Sequence, residues 1–371
     1  MTIAFLRATH VAPDPRVEKE VNSVLKEHPD ILILGWDRDG DLARDEVLTF
    51  PNGKARILRS GIKSSYGASL GTLLGMALFQ LFLLRQLWKH RKGITAIHAS
   101  DLGTALSGLI MAKILRVPLV YDIYDYFVDS FSVPRAVAPL IERIDTFVIN
   151  RADVVIIVGE NRESQLSKAK PKQLVVIHNS PPETEVHAVR TGDPRKRFVY
   201  VGILSEGRLL AELLELFSRR PDWHLDIGGF GGLEATARKY AAEFENITFH
   251  GRLPYAETLK LEASADCLLA VYDPAVPNHK YSSPNKFYEA LMLGLPIIVA
   301  KDTGVDQLVS AHEVGAVCDY SAGSFEQAAE RLFADAGELA DIQQRARALF
   351  ETTFSWEIME QRLLSIYRSI L

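Results

Sequence analysis

Short runs of aliphatic and β-branched residues alternate with longer stretches whose apolar positions fall at helical spacing, and this alternation fills most of the chain. Residues 3–6 read as a first strand, 16–27 as a helix and 31–34 as a second strand. Further on come a strand at 94–98, a helix at 101–115, a strand at 119–122, a helix at 134–150 and strands at 154–158 and 175–178. Strands that alternate with helices imply a mostly parallel sheet. The rhythm stops over residues 180–197, rich in Pro, Glu, Arg and Gly and without periodicity, which marks a linker. It restarts at 198–201 and continues through 224–227, 247–250, 265–272 and 297–299. After Cys318 the chain reads as helical to its end, and the last helix sets Trp356, Met359, Leu363, Ile366 and Tyr367 on one face. The expectation is an α/β protein of two Rossmann-like, doubly wound parallel-sheet domains, 1–180 and 198–355, joined by 181–197.

One stretch stands apart. Residues 70–87 are the most apolar in the chain, yet too short and interrupted to span a bilayer comfortably. Arg85, Lys89, His90, Arg91 and Lys92 give it a basic end. A buried helix of the first domain is the commoner arrangement and the expected one. The alternative is peripheral contact of 70–92 with an anionic membrane.

Composition narrows the class. The 371 residues suffice for two cores, and 24% charged with 47% hydrophobic residues is ordinary for a soluble protein. A net charge of -5 argues against a general nucleic-acid binder. Cys267 and Cys318 lie in apolar strand-like runs, so buried free thiols and a reducing cytoplasm are expected. The opening Met1-Thr-Ile-Ala-Phe-Leu-Arg7 is a strand without the basic flank and cleavage site of a signal peptide. No Gly-x-Gly-x-x-Gly follows that strand, and Asp37-Arg-Asp39, beside Gly40 and Asp41, reads as a turn rather than a metal motif.

Candidate chemistry concentrates at strand ends, where open α/β sheets place ligands. In residues 281–300, Ser283 suits an N-cap and Pro284 the first helical position, leaving orphan N–H groups and the positive helix end to face an anion. Lys286 and Glu289 share a face of that helix, and one can hold phosphate while the other accepts two ribose hydroxyls. Gly294 ends the helix, Pro296 opens the next strand, and a small loop at 302–306 follows it. In the first β-α loop His10 suits a sugar hydroxyl and Arg16 a phosphate, with pairing to a nearby carboxylate as the alternative for Arg16. The segment 121–130 packs three acids and three tyrosines at a strand end, either as a hydroxyl-binding group centred on Asp125 or as a turn with its tyrosines on the core. Gly228-Gly-Phe-Gly-Gly232 allows either close approach to a ligand or a tight turn.

Residues 281–300 resemble the signature region of the family 4 retaining glycosyltransferases of the GT-B fold, Glu-x7-Glu-Ala-x-x-x-Gly-x-Pro-Val-Ile. Glu289, Gly294 and Pro296 fall in register with it, while Tyr281 stands where the first glutamate would be. Asp14-Pro-Arg-Val17 also recurs in bacterial sugar transferases of this kind. Two further departures are Ile203, at the place of a donor-site arginine, and Tyr124, at the place of a histidine facing the donor sugar. Arg208 can stand for the family's lysine and make bidentate phosphate contacts. The resemblance implies two domains facing a central cleft, with the helix 356–371 crossing back to the first. It implies catalysis by Arg208 and Lys286, with Asp125 the nearest ionisable group to the missing histidine. Donor contacts would fall to Glu289, Ser283, Asn285, Arg252, Gly202, Thr303 and Gly304, and the acceptor side to His10, Arg16 and Tyr124. The expected reaction moves a sugar from a UDP- or GDP-sugar to a glycan or lipid-linked acceptor, without metal, in bacterial surface-polysaccharide synthesis at the inner face of the plasma membrane. A nucleotide-sugar 2-epimerase and a non-catalytic sugar-nucleotide or glycan binder are the alternatives.

Overall fold

The structure is a computed structural model and describes residues 1–64, 70–130, 136–186 and 193–371. In chain order its strands are β1 (Thr2–Leu6), β2 (Asp30–Trp36), β3 (Asp45–Phe50), β4 (Gly53–Ser60), β5 (Ile94–Ser100), β6 (Leu119–Ile123), β7 (Val154–Ile157), β8 (Leu174–Val176), β9 (Lys196–Ile203), β10 (Trp223–Phe230), β11 (Ile247–Gly251), β12 (Cys267–Ala270), β13 (Ile297–Ala300) and β14 (Gly315–Cys318). The helices are α1 (Pro15–Val24), α2 (Leu70–His90), α3 (Leu102–Leu115), α4 (Phe127–Ser130), α5 (Ala138–Ile149), α6 (Leu210–Ser218), α7 (Glu234–Glu243), α8 (Tyr255–Ala263), α9 (Asn285–Leu293), α10 (Val305–His312), α11 (Ala322–Leu332), α12 (Ala336–Leu349) and α13 (Trp356–Ile370). The chain divides into two compact units, Met1–His178 with Glu357–Leu371, and Asn179–Trp356. Residues 187–192 of the expected linker, and 134–135 of the expected helix 134–150, lie outside the described residues.

The first unit is an eight-stranded sheet in the order β3-β4-β2-β1-β5-β6-β7-β8. All pairs are parallel except the β3–β4 hairpin, which the hydrophobic pattern did not announce. Strands β1, β5 and β6 are buried almost throughout, so they alternate between two cores rather than between core and water. Ala4 and Leu6 join the core under α2 and α3. Phe5 faces the other way and stacks on His98 at 4.6 Å, with Tyr367 of α13 beside it. The last helix therefore supplies part of this unit's core. The second unit repeats the theme with six parallel strands, β11-β10-β9-β12-β13-β14. Phe198 and Tyr200 of β9 face the cluster containing Phe217, Trp223 and Phe325, and Val199 faces the cluster containing Phe287 and Ile297. Cys267 and Cys318 are free, buried thiols in this sheet, and burial pushes Cys318 up to about 12.

The expectation that residues 70–87 form a buried helix needs correction. Phe79, Leu83 and Leu87 are fully buried, but Leu73, Leu74, Leu81 and Trp88 stand exposed on the opposite stripe. The segment is apolar on both sides, and the sheet covers only one.

Candidate functional site

In the second sheet β9 leads to β10 and β11 on one side, and β12, β13 and β14 extend from its other side. The chain order reverses between β9 and β12, so the carboxyl ends of these two strands flank the crevice where such sheets bind ligands. The groups that meet there come from four segments. Arg208, in the loop after β9, lays its guanidinium 3.9 Å from the ring centre of Tyr272, just beyond β12. Lys286, in the first turn of α9, places Nζ 4.6 Å from the ring centre of Tyr200 in β9. Gly202 makes that approach possible, because a Cβ there would sit 2.8 Å from Lys286 Nζ. Burial works against the lysine's charge, yet Tyr272, Tyr200, Glu289 and Glu262 outweigh it and hold its pKa above the ordinary lysine value. Lys286 therefore stays cationic inside the site. His279, its ring 5.3 Å from that of Tyr272, is held below the usual histidine range by burial and by Arg208, so its imidazole stays neutral, with Nδ1 2.9 Å from the Asp273 carbonyl oxygen.

Helix α9 starts one residue later than the sequence suggested. Pro284, not Ser283, is the N-cap, with extended φ/ψ of -70° and 137° and no side-chain cap. Ser283 instead shares a 2.7 Å hydrogen bond with the Tyr288 hydroxyl, and its carbonyl accepts from Asn179 at 3.2 Å. Pro284 has no side chain that could cap the first turn, and that turn still carries the positive end of the dipole, which suits an anion. Asn285, the first helical residue, is exposed there.

Glu289 is buried beneath this turn. The Tyr255 hydroxyl donates to it, and burial followed by Glu289 and Glu262 pushes that phenol's pKa up. Glu262 is fully buried too, and desolvation with the neighbouring Glu289 raises it well above the usual carboxylate range. Of such a pair of carboxyls one keeps its proton.

The remaining expected donor contacts sit around this centre. Thr303 is fully buried and spends its hydroxyl on the Ala300 carbonyl at 2.5 Å, so its side chain does not offer a ligand contact. Its carbonyl accepts from Ser282 at 2.7 Å, which ties the 302–306 loop to the entry of α9. Gly304 caps α10 at φ 79°. Arg252 lies with its guanidinium 4.8 Å from the Phe230 ring centre, at the end of the neighbouring strand. The glycine cluster at the end of β10 serves backbone packing: Gly229 has φ 134°, and a Cβ on it would sit 1.8 Å from the Gly202 carbonyl oxygen.

In the first unit the order reverses between β1 and β5, which brings the 7–15 loop and Asp101 together. Arg7 donates to Asp14 at 2.7 Å and also to Asp101. The expected phosphate role of Arg16 is overturned by burial and pairing. Its guanidinium lies 3.0 Å from Glu20 and 3.0 Å from Asp122, and donates to the Ile177 carbonyl at 3.0 Å. Glu20, His98 and Asp122 place ligand-type atoms within 4.8 Å of one another. Arg16 already supplies the cation, which makes this an ion-pair network rather than a metal centre. Burial and Asp122 raise Glu20 well above the carboxylate range, whereas Asp122, although buried, is pulled down by Arg16 and His98. Tyr124 belongs to the same network, with its hydroxyl 3.1 Å from Ser100 and 3.4 Å from Glu20, and its ring between Arg7 and Arg16. Asp125 is half-exposed and accepts from the buried Arg162 at 3.0 Å. His10 is partly exposed in the loop, and Arg59 clasps its carbonyl oxygen at 2.6 Å. Asp37 closes a turn by accepting from Gly40 and Leu42, as its neighbours suggested.

Tyr200, Tyr272, His279, Tyr255 and Glu262 were not foreseen. The two tyrosines sit in or beside apolar strands and read as core. Only the register of β9 against Lys286 gives them a polar role.

Residues 182–349 match the family described as Glycosyl transferases group 1, and residues 32–180 match the Glycosyl transferase 4-like domain. The chain is 28% identical over 163 residues to the GDP-mannose-dependent monoacylated alpha-(1-6)-phosphatidylinositol monomannoside mannosyltransferase of Corynebacterium glutamicum. That match covers 43% of this chain and 43% of the relative, so it spans less than half of the relative's length. Among solved structures, sucrose-phosphate synthase from Thermosynechococcus elongatus is similar at TM-score 0.77 and 16% identity, over 100% of this chain and 99% of that one. The Anabaena protein HepE in complex with UDP is similar at TM-score 0.72 and 17% identity, over 100% of both chains. An alpha,alpha-trehalose-phosphate synthase (UDP-forming) from Burkholderia vietnamiensis gives TM-score 0.71 and 12% identity, again over 100% of both. Both units carry the sequence of glycosyltransferase domains and the whole chain has their fold, so it belongs to the family 4-like glycosyltransferases of the GT-B fold.

Proposed function

We propose that the chain is a retaining glycosyltransferase that binds a nucleoside diphosphate sugar in the second unit, at the Arg208–Lys286 end of α9. One observation carries this: two cations and an uncapped helix N-terminus meet at the topological switch point, and Lys286 keeps its charge there despite burial. As the bond from the sugar's C1 to the diphosphate breaks, negative charge grows on the leaving oxygens. Fixed cations and N–H dipoles stabilise that charge without reorganising, so no metal is required. Glu289 accepts the ribose hydroxyls. The acceptor oxygen bonds to C1 on the face the diphosphate leaves, and the departing phosphate takes the acceptor's proton. A side-chain base is then unnecessary, which accommodates Tyr124 at the place of the family's histidine.

The acceptor side is assigned to the first unit, with His10 and Asp125 as the partly exposed polar groups at its loop ends. A glycan or lipid-linked acceptor in surface-polysaccharide synthesis, on the cytoplasmic side of the membrane, follows from the family resemblance. The relative's name makes GDP-mannose the first donor to try, and the UDP-glucose complex of the neighbour HepE makes UDP-glucose the second. The three departures, Tyr281, Ile203 and Tyr124, favour a non-catalytic binder as the second reading.

The test is incubation with a panel of UDP- and GDP-sugars, with and without a chelator. Released nucleoside diphosphate is measured, and the anomeric configuration of the product is read by NMR. Release that survives chelation, with the donor's configuration kept, is expected. Binding without any release would establish the second reading, and an inverted product would end the retaining one.

A further inference from the structure

Helices α2, α3 and α5 pack side by side on one face of the first sheet. Their inner stripes are core, but their outer stripes are also apolar. Leu74, Leu81 and Trp88 of α2 are 62%, 61% and 53% exposed, and Ile114 of α3, Leu140 and Phe147 of α5 continue the surface. Three neighbouring helices that each leave large apolar side chains exposed mark a contact surface rather than scattered exposed residues. Its charge is one-sided. Residues 70–93, 102–118 and 138–151 contain Arg85, Lys89, Arg91, Lys92, Lys113, Arg116, Arg143 and Arg151 against two carboxylates, the buried Asp145 and Glu142, which pairs with Lys168 at 3.0 Å, in a chain whose net charge is -5. The acid that feels Lys89 and His90 is Asp45, and Arg56 already pairs with it at 2.5 Å. Two of the exposed rings carry a guanidinium, with Arg91 4.6 Å from the ring centre of Trp88 and Arg151 3.8 Å from that of Phe147. Aromatic bodies with cationic tips suit the boundary between acyl chains and headgroups.

Helix α2 is long and apolar enough to cross a bilayer by length and composition alone. It does not do so in this fold. It connects β4 to β5 of one sheet, and Phe79, Leu83 and Leu87 are locked in the core beneath it. A helix held on one stripe and bare on the other can only lie along a membrane.

We propose that the outer face of α2, α3 and α5 is a docking surface for a membrane rich in anionic lipid, with the apolar stripes seated among the acyl chains and the surrounding arginines and lysines on the headgroups. The surface is wider than the 70–92 segment alone, and it needs neither donor nor acceptor to bind. The occupant is a lipid surface rather than a second copy of this chain, because three helices carrying eight cations against two carboxylates, one buried and one already paired, repel their own copy. Anionic headgroups complement them.

Trp88 gives the test. The other three tryptophans, Trp36, Trp223 and Trp356, are buried, so Trp88 alone reports on this surface. The intact protein is titrated with vesicles of phosphatidylcholine alone, and with vesicles containing phosphatidylglycerol. Tryptophan emission, flotation and quenching by brominated lipid are followed. The expected result is a blue shift and flotation with the phosphatidylglycerol vesicles only, weakened by salt. Leu81→Glu should lower vesicle affinity ~10-fold, and so should the triple change Lys89→Gln, Arg91→Gln, Lys92→Gln, through lost insertion and lost attraction respectively. All four positions are exposed, so melting should be unchanged, as should the melting shift given by nucleotide. No binding to phosphatidylglycerol vesicles, binding that Leu81→Glu leaves intact, or a stable dimer that Leu81→Glu dissolves would each overturn the proposal.

Discussion

Replacing Gly202 by alanine tests whether the position of the Lys286 ammonium matters. The new Cβ would lie 2.8 Å from Lys286 Nζ, 3.4 Å from the Tyr200 hydroxyl oxygen and 3.6 Å from Lys286 Cε. An unstrained contact to nitrogen needs about 3.4 Å or more, so Nζ must move by at least ~0.6 Å. The intruding atom meets the free end of a flexible side chain rather than backbone, so the fold gives way cheaply. A destabilisation below about 1 kcal/mol is expected, a few degrees in melting temperature. The chemistry is less forgiving. A charge aimed at the leaving diphosphate loses its alignment, and displacements of about 1 Å can cost up to ~100-fold in rate. The expected outcome is a fall of ~10-fold or more in kcat/KM with near-normal melting. The control is the same change in a Lys286→Ala background, where the Cβ has nothing to push and should cost almost nothing further. Full activity in Gly202→Ala, or an equal loss in both backgrounds, would mean that the position of the Lys286 ammonium does not matter.

Three further outcomes are expected. Arg16→Ala strands the buried Asp122 carboxylate and should cost about 3–5 kcal/mol in urea unfolding, whereas Glu20→Gln copies the protonated acid that the network already favours and should be nearly neutral at pH 7; equal losses would mean that Glu20 is ionised. Burial opposes the charge of Asp226, yet His224, His250 and Arg197 hold it well below the usual carboxylate range. Its contribution is therefore complete above the unfolded value of about 3.9 and fades as pH falls below it, so the gap between wild type and Asp226→Asn in denaturant melts should shrink between pH 5 and pH 3, and a constant gap would contradict this. Glu289→Gln keeps the volume but loses charge-assisted acceptance, and should weaken nucleotide binding by roughly 5- to 30-fold; a dideoxyribose nucleotide, lacking both hydroxyls proposed for Glu289, should show no such loss in calorimetry.

Much of the fold was legible because parallel strands buried on both faces announce themselves as unbroken apolar runs, such as residues 31–34 and 297–299. The β3–β4 hairpin was not, since β3 is an exposed edge strand with little apolar content and only Pro51-Asn-Gly53 hinted at its turn. For α2 the pattern identified a helix but not its surroundings, because a segment apolar on both stripes looks the same whether the second stripe is covered or bare. Arg16 illustrates a different limit. An arginine beside a ligand-edge loop reads as a phosphate contact until Asp122, 106 residues away, is seen to hold it. The signature stretch placed Lys286 and Glu289 on one helix correctly, but the aromatic partners that fix the lysine come from β9 and the end of β12. No local pattern links those strands to α9.

The proposed donor site at the head of α9 takes a nucleoside diphosphate without a metal. It is tested most directly by melting the protein against UDP, GDP, ADP, CMP and their sugars, with magnesium and with EDTA, alongside Lys286→Ala. A ligand that binds only the folded state at 100 times its Kd adds about 2.7 kcal/mol. The expected result is a rise for one nucleotide and its sugars, equal in magnesium and EDTA and strongly reduced in Lys286→Ala. A cooperative melt that no nucleotide moves, or a rise that appears only with magnesium or survives unchanged in Lys286→Ala, would contradict it.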